Sequence, residues 1–371
     1  MIQSRFRTIT VIESASIIAS TIVGVGVLAI PRFAVEAGNT GAPFVTLLGI
    51  IGAYIGLWLI TKLGMRFPNQ SIIEYSEQIL GKWPARFGSI LIVLFFAILT
   101  ALAAREFGMV VVSAVLPRTP VDVTTIVMLL LAAISSRANM STFAYAHLFY
   151  LPFVMAPGLL IVIFSTKNAT FLNLQPIFGN GTSLSEMTMG VLTVSALFQG
   201  SFIMSFVIPA MRSPHKAMTA SFWGLAISSG LYLSIVIATL AVFGSEEIKM
   251  LMWPTLELAK TTLLPGEILE RLDAAFLAVW VTAVYTTLYS TYALTARAIK
   301  DLFQLHDHKM LSFYILPFVF LIAMLPPNII ELYRVIEIVG RMGLLVTFAY
   351  PLLLLIAAIA RKQKDDDRVT S

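Results

Sequence analysis

The sequence contains no cysteine, and only 12% of its 371 residues are charged. Without cysteine there is no disulfide framework, no thiol nucleophile and no cysteine-ligated metal site. A soluble domain carries about a quarter charged residues, so this chain has too few to cover a surface that faces water. These absences predict a protein whose surface is mostly in contact with lipid.

Histidine is also scarce, and its four copies do not form a metal-binding pattern. The segment His306-Asp307-His308 is interpreted as a solvated connector rather than a metal site, and His147, within an apolar run, as a packing histidine. No nucleophile–base pair or phosphate-binding loop has meaningful spacing, and the net charge of +5 is spread along the chain. We therefore predict no enzyme activity, no cofactor, no metal and no nucleic-acid partner.

The chain does have long apolar runs, and we interpret ten of them as membrane spans. Sixteen of the 25 lysine and arginine residues lie in the termini and the loops on their side, against eight on the opposite side, which predicts cytoplasmic termini. The first run lacks a cleavage pattern, so we expect the N-terminus to be retained. The predicted spans are 10–34, 43–67, 87–116, 121–136, 143–165, 187–210, 218–243, 272–302, 310–326 and 334–360, followed by a short charged cytoplasmic tail at 361–371.

Glycine and proline interrupt two of these spans. The first contains Gly24, Gly26 and Pro31, and the sixth contains Phe198-Gln199-Gly200-Ser201 followed by Pro209. Glycine lacks a stiffening side chain and proline lacks a backbone donor, so both helices are expected to unwind there. Unwound backbone at membrane depth is tolerated only where it is buried in protein or lines a cavity. Each break therefore indicates a small-molecule site.

Breaks at matching positions in two halves are typical of inverted-repeat transporters. We therefore predict an all-α membrane protein with ten transmembrane helices, a five-plus-five inverted repeat, and broken helices 1 and 6. The repeats would cover about 10–165 and 187–360 of a single membrane domain, 1–371. The N-termini of the half-helices would then hold an anionic group such as an amino acid carboxylate. The alternative is that these residues only kink membrane helices, in which both are common.

The eighth span is rich in hydroxyl groups. Thr282, Thr286 and Ser290 recur every four residues and so share one helix face, and Thr287 lies beside them. If this face is turned toward the first break, it would hold substrate or help to coordinate a cation. The alternative is that the threonines bond to carbonyls of their own helix and join neighbouring spans.

Arg105 and Glu106 stand within the third span, where charge is costly and marks function by default. Neighbouring helix positions point about 100° apart, so the two do not simply neutralise each other, and Arg105 requires a partner on another span. Structural pairing and a gating or ligand role both fit this pattern. Glu13, at the beginning of the first span, is interpreted as a helix-start charge.

Several short segments of the sequence form a recognisable combination. They are GVGVLAIPR at 24–32, FP at 67–68, GKW at 81–83, RTP at 118–120, WPT at 253–255, and ER at 270–271 continuing to Trp280. Together they resemble one family, the integral-membrane B subunit of GerA-type endospore germinant receptors, which is similar to amino acid/polyamine/organocation permeases. The resemblance implies a LeuT-like fold and a role in sensing a small nutrient, often an amino acid, in the spore inner membrane. It also implies two partners, a larger A subunit and a C-subunit lipoprotein.

The resemblance also implies a ligand pocket by position. Gln199 is polar where some family members have an apolar residue, so the identity of the ligand cannot be inferred from a relative. A proton- or sodium-coupled amino acid transporter of the same fold is the alternative function, and a solute or water conduit is a third. The pocket residues are Gly24, Gly26, Leu99, Phe198, Gln199, Gly200, Thr286 and Thr287.

Overall fold

The helices of the computed structural model follow the apolar runs of the sequence over 8–179, 181–262 and 272–363, the parts of the chain that the structure describes. No strand is formed within these ranges, and a single isolated bridge joins Ile9 to Met211. The helices are α1 Val11–Ile22, α2 Gly26–Gly38, α3 Ala42–Arg66, α4 Ile72–Leu80, α5 Lys82–Ala114, α6 Val121–Ser135, α7 Met140–Ser165, α8 Leu184–Ala196, α9 Met204–Val207, α10 Ala217–Met250, α11 Pro254–Thr261, α12 Leu272–Leu302, α13 Leu311–Met324, α14 Ile329–Leu344 and α15 Tyr350–Ala360.

The first predicted span consists of two helices, α1 and α2. A capping box begins α1, because Glu13 N donates to Thr10 Oγ1 at 3.3 Å and the Glu13 carboxylate accepts from Thr10 N at 2.6 Å. Glu13 is thus the helix-start residue that the sequence indicated. The helix ends where Val23 adopts φ −78° and ψ 91°, and α2 resumes at Gly26.

The second predicted break lies in the sixth span. Helix α8 ends at Ala196, and a 3₁₀ turn follows at Gln199–Ile203. The segment before this turn and the segment Gln199–Ala210 are bent by 43°. Both interruptions that the glycines predicted are therefore present in the structure.

Five helices in the described ranges are long and apolar enough to cross a membrane, and a sixth qualifies if the bent pair is one span. Helices α1, α6 and α13 are apolar but shorter. Every predicted run overlaps a helix or a broken helix, although length and composition qualify only five or six of them. The chain is a multi-pass membrane protein. The Glu270-Arg271 segment and residues 364–371 of the tail lie outside the described residues.

The backbone at both breaks lies inside the bundle and not on its lipid-facing surface, although the first half of α8 is exposed. Helix α1 packs against α7, α10 and α12, and α12 also packs along α5. Every residue of α1 from Glu13 to Ile22 is buried. The unwound backbone is thus surrounded by protein, as its freed polar groups require.

Candidate ligand-binding site

A cavity of about 80 Å³ lies between the two breaks. One water molecule needs roughly 10–15 Å³ on this measure, so the cavity has room for several waters or one compact organic molecule. Its walls come from α1, α2 and the break between them, from α5, from α8 and the second break, and from α12 and α14. They are Thr21, Ile22, Val25, Gly26, Ala29, Phe33, Leu99, Leu102, Ala103, Glu106, Thr193, Ala196, Leu197, Gln199, Gly200, Thr287, Thr291, Tyr333, Ile336, Glu337 and Gly340.

The structure brings most of the predicted pocket residues to this one cavity. Gly24, Phe198 and Thr286 are not among the lining residues. The Phe198 ring packs edge-on against Tyr232 at 5.3 Å between centroids, and Thr286 bonds to backbone. Those that do line the cavity are Gly26, Leu99, Gln199, Gly200 and Thr287.

The backbone carbonyls that the first break releases are satisfied by side chains of other helices. Tyr232 Oη of α10 donates to the Ile22 carbonyl at 2.8 Å. Trp280 Nε1 of α12 donates to the Gly24 carbonyl at 3.2 Å. Thr255 Oγ1 of α11 donates to the Val27 carbonyl, in the first turn of α2. Because a bare carbonyl in an apolar interior is costly, these donors allow the helix to remain unwound.

The hydroxyl face of α12 is turned toward the first break, as one of the two interpretations required. Thr286 Oγ1 donates to the Ser20 carbonyl at 2.9 Å, and Thr287 Oγ1 donates to the Thr21 carbonyl at 2.8 Å. Thr282 instead donates to the carbonyl of Val279 in its own helix. Thr286 and Thr287 thus join α12 to α1, and Thr282 bonds within its own helix, as the second interpretation describes. A role of this face in holding a ligand or a cation stays a prediction.

His147 of α7 joins α1 to α12. Its Nδ1 lies 2.6 Å from Ser20 Oγ, and its Nε2 lies 3.0 Å from Ser290 Oγ. Ser290 Oγ in turn lies 2.6 Å from Thr21 Oγ1. The imidazole is fully buried with both nitrogens partnered, which is the packing role that we predicted from the sequence.

Arg105 turns away from the cavity. Its Nη2 donates to the Pro326 carbonyl at 3.1 Å, and its Nη1 lies 3.9 Å from Asp122 Oδ1 and 3.4 Å from Met324 Sδ. The partner on another segment that the sequence required is therefore the backbone after α13. These contacts join α5 to α13 and α6, which supports a structural role.

Glu106 turns into the cavity. Tyr333 Oη of α14 donates to Glu106 Oε1 at 3.0 Å, and Trp253 Nε1 donates to Tyr333 Oη at 2.9 Å. Tyr333 also packs edge-on against Phe33 of α2, with ring centroids 5.7 Å apart. The Trp-Pro-Thr segment thus contacts both the site and α2, through Trp253 and Thr255.

Gln199 lines the cavity at the second break and is 4% exposed. Its Nε2 donates to the Gly340 carbonyl of α14 at 2.9 Å, while its Oε1 is buried without a hydrogen-bond partner. The two breaks also touch each other, because a Cβ on Gly200 would lie 2.9 Å from Thr21 Cγ2.

Reasoning from the sequence missed the contribution of α14 to the site. Tyr333, Ile336, Glu337 and Gly340 line the cavity, and their spacing of three, four and seven residues is that of one helix face. This periodicity was available in the sequence. Only the tertiary packing shows that the face is turned toward the two breaks.

Three comparisons with known proteins bear on this site. A family model described as "Spore germination protein" matches residues 8–331. The chain is similar to spore germination protein YndE of Bacillus subtilis (strain 168), 26% identical over 358 residues, covering 96% of this chain and 97% of the relative. It is also similar to spore germination protein A2 of that organism, 27% identical over 295 residues (79% and 80%), and to spore germination protein GerLB of Bacillus cereus, 25% identical over 316 residues (84% and 84%).

Two solved structures share the fold. One is a nucleobase-cation-symport-1 family transporter in a closed conformation with bromovinylhydantoin bound, with TM-score 0.69 and 11% identity over 96% of this chain and 78% of the other. The second is a substrate-bound, outward-open Na⁺-coupled sialic acid symporter, with TM-score 0.65 and 13% identity over 93% and 79%. At these identities the likeness concerns the fold alone.

Proposed function

The chain belongs to the spore germination protein family, and from that membership we propose that it is the membrane subunit of a germinant receptor. It binds a small nutrient, with an amino acid as the leading candidate, and triggers germination together with partner subunits. The relatives over most of its length are spore germination proteins. Nothing in this role requires an enzymatic step.

The observation that carries the proposal is the cavity between the two breaks. Gly26, Gln199 and Thr287 line it, and the amides of Gly26 and Val27, in the first turn of α2, have no partner within their own helix. These amides and the helix dipole favour an anionic group such as a carboxylate. Binding produces a signal only if the nutrient prefers one of two states of the bundle, and a site between two broken helices is suited to such a preference.

The finer architecture is part of the same proposal. The chain forms one membrane domain, 1–371, with ten spans in a five-plus-five inverted repeat covering about 10–165 and 187–360. Two short helices joined by unwound backbone make up the first span of each proposed repeat, and α6 and α13 are short as well. A criterion of length and composition therefore counts fewer helices than the ten spans that we propose. The excess of lysine and arginine in the termini and their loops supports cytoplasmic termini.

The partners are an A subunit with membrane and soluble parts and a C-subunit lipoprotein, in the spore inner membrane. The family membership supports a multi-subunit receptor. A receptor of this kind does not need to carry its nutrient across the membrane, because its signal passes to the neighbouring subunits.

A coupled amino acid transporter is the second candidate, since both solved structures of this fold are transporters. The two functions differ in whether the bound solute crosses the membrane. Saturable uptake or counterflow of an amino acid in proteoliposomes would support the transporter, whereas binding without flux would eliminate it.

The decisive experiment is germination of spores that lack this subunit, tested against a panel of nutrients. We expect loss of the response to at least one nutrient, and recovery when the wild-type gene is returned. Gln199→Ala and Thr287→Ala complementation tests the pocket, with Arg118→Lys as an exposed control. Normal germination of the deletion strain on every nutrient would overturn the proposal, and unaltered nutrient dependence of both variants would remove the pocket assignment.

A further inference from the structure

We propose that Glu106 recognises an ammonium group, so that the nutrient is a compact molecule that carries a positive charge on nitrogen. The inference deepens the proposed function, because it names the chemical class of the nutrient and the residue that selects it. The basis for this assignment is the set of hydrogen-bond donors and acceptors on the cavity wall that have no partner within the protein.

Glu106 is buried without a compensating cation. It is 2% exposed, and among the described residues that line the cavity there is no lysine, arginine or histidine. The adjacent Arg105 is directed to Pro326 and Asp122 instead. Glu337 also lines the cavity, but Arg341 Nη2 lies 3.0 Å from its carboxylate. An unpaired carboxylate in an apolar interior is costly unless something balances its charge.

Only one oxygen of Glu106 is occupied. Tyr333 donates to Oε1, and across the described ranges no hydrogen bond reaches Oε2. Trp253 donates to Tyr333 and thereby orients its hydroxyl proton toward the carboxylate. One oxygen is therefore held in position and the other is left for a ligand.

The side-chain hydroxyl groups around the cavity already have hydrogen-bond partners. Thr287 and Thr291 donate to carbonyls on α1 and α12, Thr193 donates to Met189, and Tyr333 donates to Glu106. The acceptors are not used to the same extent, because Gln199 Oε1 has no partner. A wall that offers acceptors and few side-chain donors is complementary to a donor-rich cation, and an ammonium group supplies three donors.

The size of the cavity sets a limit on the rest of the molecule. About 80 Å³ is available, and Leu99, Ala103 and Ile336 make part of the wall apolar. A small aliphatic body with an ammonium group fits this combination, and a carboxylate on the same molecule would be received by the amides at the start of α2.

The test compares pairs of small molecules that differ only at nitrogen. Thermal unfolding of the purified full chain in detergent is followed with L-alanine and L-lactate, and with L-valine and L-2-hydroxyisovalerate. Methylammonium, ethylammonium and isopropylammonium serve as cations without a carboxylate. We expect at least one ammonium-bearing probe to raise the unfolding midpoint, while its hydroxy counterpart does not.

The Glu106→Gln variant keeps the size of the side chain and an oxygen for Tyr333 but removes the charge. We expect its affinity for the ammonium probe to fall by about 10- to 100-fold, which is the range for a hydrogen bond to a charged group. Glu36→Gln is the matched control, because that carboxylate lies on α2 outside the cavity in an exposed pair with Arg32, and its affinity should be unchanged. Glu106→Asp keeps the charge and should retain more affinity than Glu106→Gln.

Three results would overturn the inference. They are equal stabilisation by the amino and hydroxy members of each pair, unchanged affinity in Glu106→Gln, and failure of every ammonium probe to bind the wild-type chain. The second is also what a carboxyl group that merely holds a proton would give. Because binding is measured without spores, discrimination between amine and hydroxyl would stand even if the deletion strain germinated normally and the receptor function failed.

Discussion

Gly24 and Thr287 leave no room for another atom between them. A Cβ on Gly24 would lie 2.1 Å from Thr287 Oγ1 and 2.8 Å from Thr287 Cβ, well inside van der Waals contact. The same Thr287 hydroxyl donates to the Thr21 carbonyl. The first break therefore needs glycine at this position so that α12 can approach and satisfy the unwound backbone, in addition to the freedom that glycine gives the chain.

Gly24→Ala should separate the first break from α12. Relief of the collision requires loss of the bond from Thr287 to Thr21, and overpacking of this kind costs about 1–3 kcal/mol. We expect a lower unfolding midpoint and a lost or weakened germination response. Gly26→Ala is the matched control for the unfolding midpoint alone, because Gly26 also lines the cavity. Its nearest neighbours, Leu197 and Tyr232, lie 3.4 Å from the added carbon.

A second-site change tests whether the collision is the cause. Thr287→Gly removes both atoms that lie within 3 Å, whereas Thr287→Ala would retain the Cβ at 2.8 Å. The Gly24→Ala/Thr287→Gly double variant should therefore lose less stability than the two single changes added together. Additive losses would show that Gly24 matters only for backbone freedom.

Arg105→Lys should weaken the fold without changing nutrient selectivity. Lysine cannot reproduce the planar contacts of Arg105 with Pro326 and Asp122, and we expect a loss of about 1–3 kcal/mol in the free energy of unfolding. Arg118→Lys, an exposed arginine beyond the same helix, should have little effect. A changed order of nutrient responses with unchanged stability would instead assign Arg105 to gating.

The sequence was sufficient to locate the two breaks because their causes are local. Gly24, Gly26 and the Gln199-Gly200 pair act on the backbone within one turn, and the structure has its interruptions at those places. The hydroxyl spacing on α12 likewise predicted a shared face, since helix geometry relates residues four apart. Periodicity and backbone chemistry therefore account for most of the helices and for both breaks, whereas the set of pocket residues, Leu99 among them, was predicted from the family resemblance.

The remaining part of the site depends on contacts between distant positions. Tyr333 and Glu106 are 227 residues apart and are joined by one hydrogen bond, which no local pattern contains. Adjacent Arg105 and Glu106 could be recognised as unusual, but their opposite directions follow from which helices pack beside α5. The sequence shows where charge is buried, whereas tertiary packing decides which of two neighbouring charges enters the cavity.

Tyr232→Phe should destabilise the first break while preserving the aromatic packing. The ring would still contact Phe198, but the Ile22 carbonyl would lose its donor. A buried carbonyl without a partner costs about 1–3 kcal/mol, and the unfolding midpoint should fall accordingly. Tyr54→Phe is the control, because no hydrogen bond from its hydroxyl is found within the described ranges. Equal midpoints for the two variants would contradict the role given to Tyr232.

The loop between α12 and α13 should make stability depend on pH. Burial, together with the nearby positive charge of Arg297, lowers the pKa of His308 from its usual 6.5 to about 4, although Asp307 acts in the opposite direction. Between these two values the unfolded chain binds a proton that the folded chain does not, so the free energy of unfolding falls as the pH falls from about 6.5 to about 4. In thermal unfolding across this range, His308→Gln should flatten the dependence, whereas His306→Gln, in an exposed position of the same loop, should preserve it. A dependence that persists unchanged in His308→Gln would show that the proton binds elsewhere.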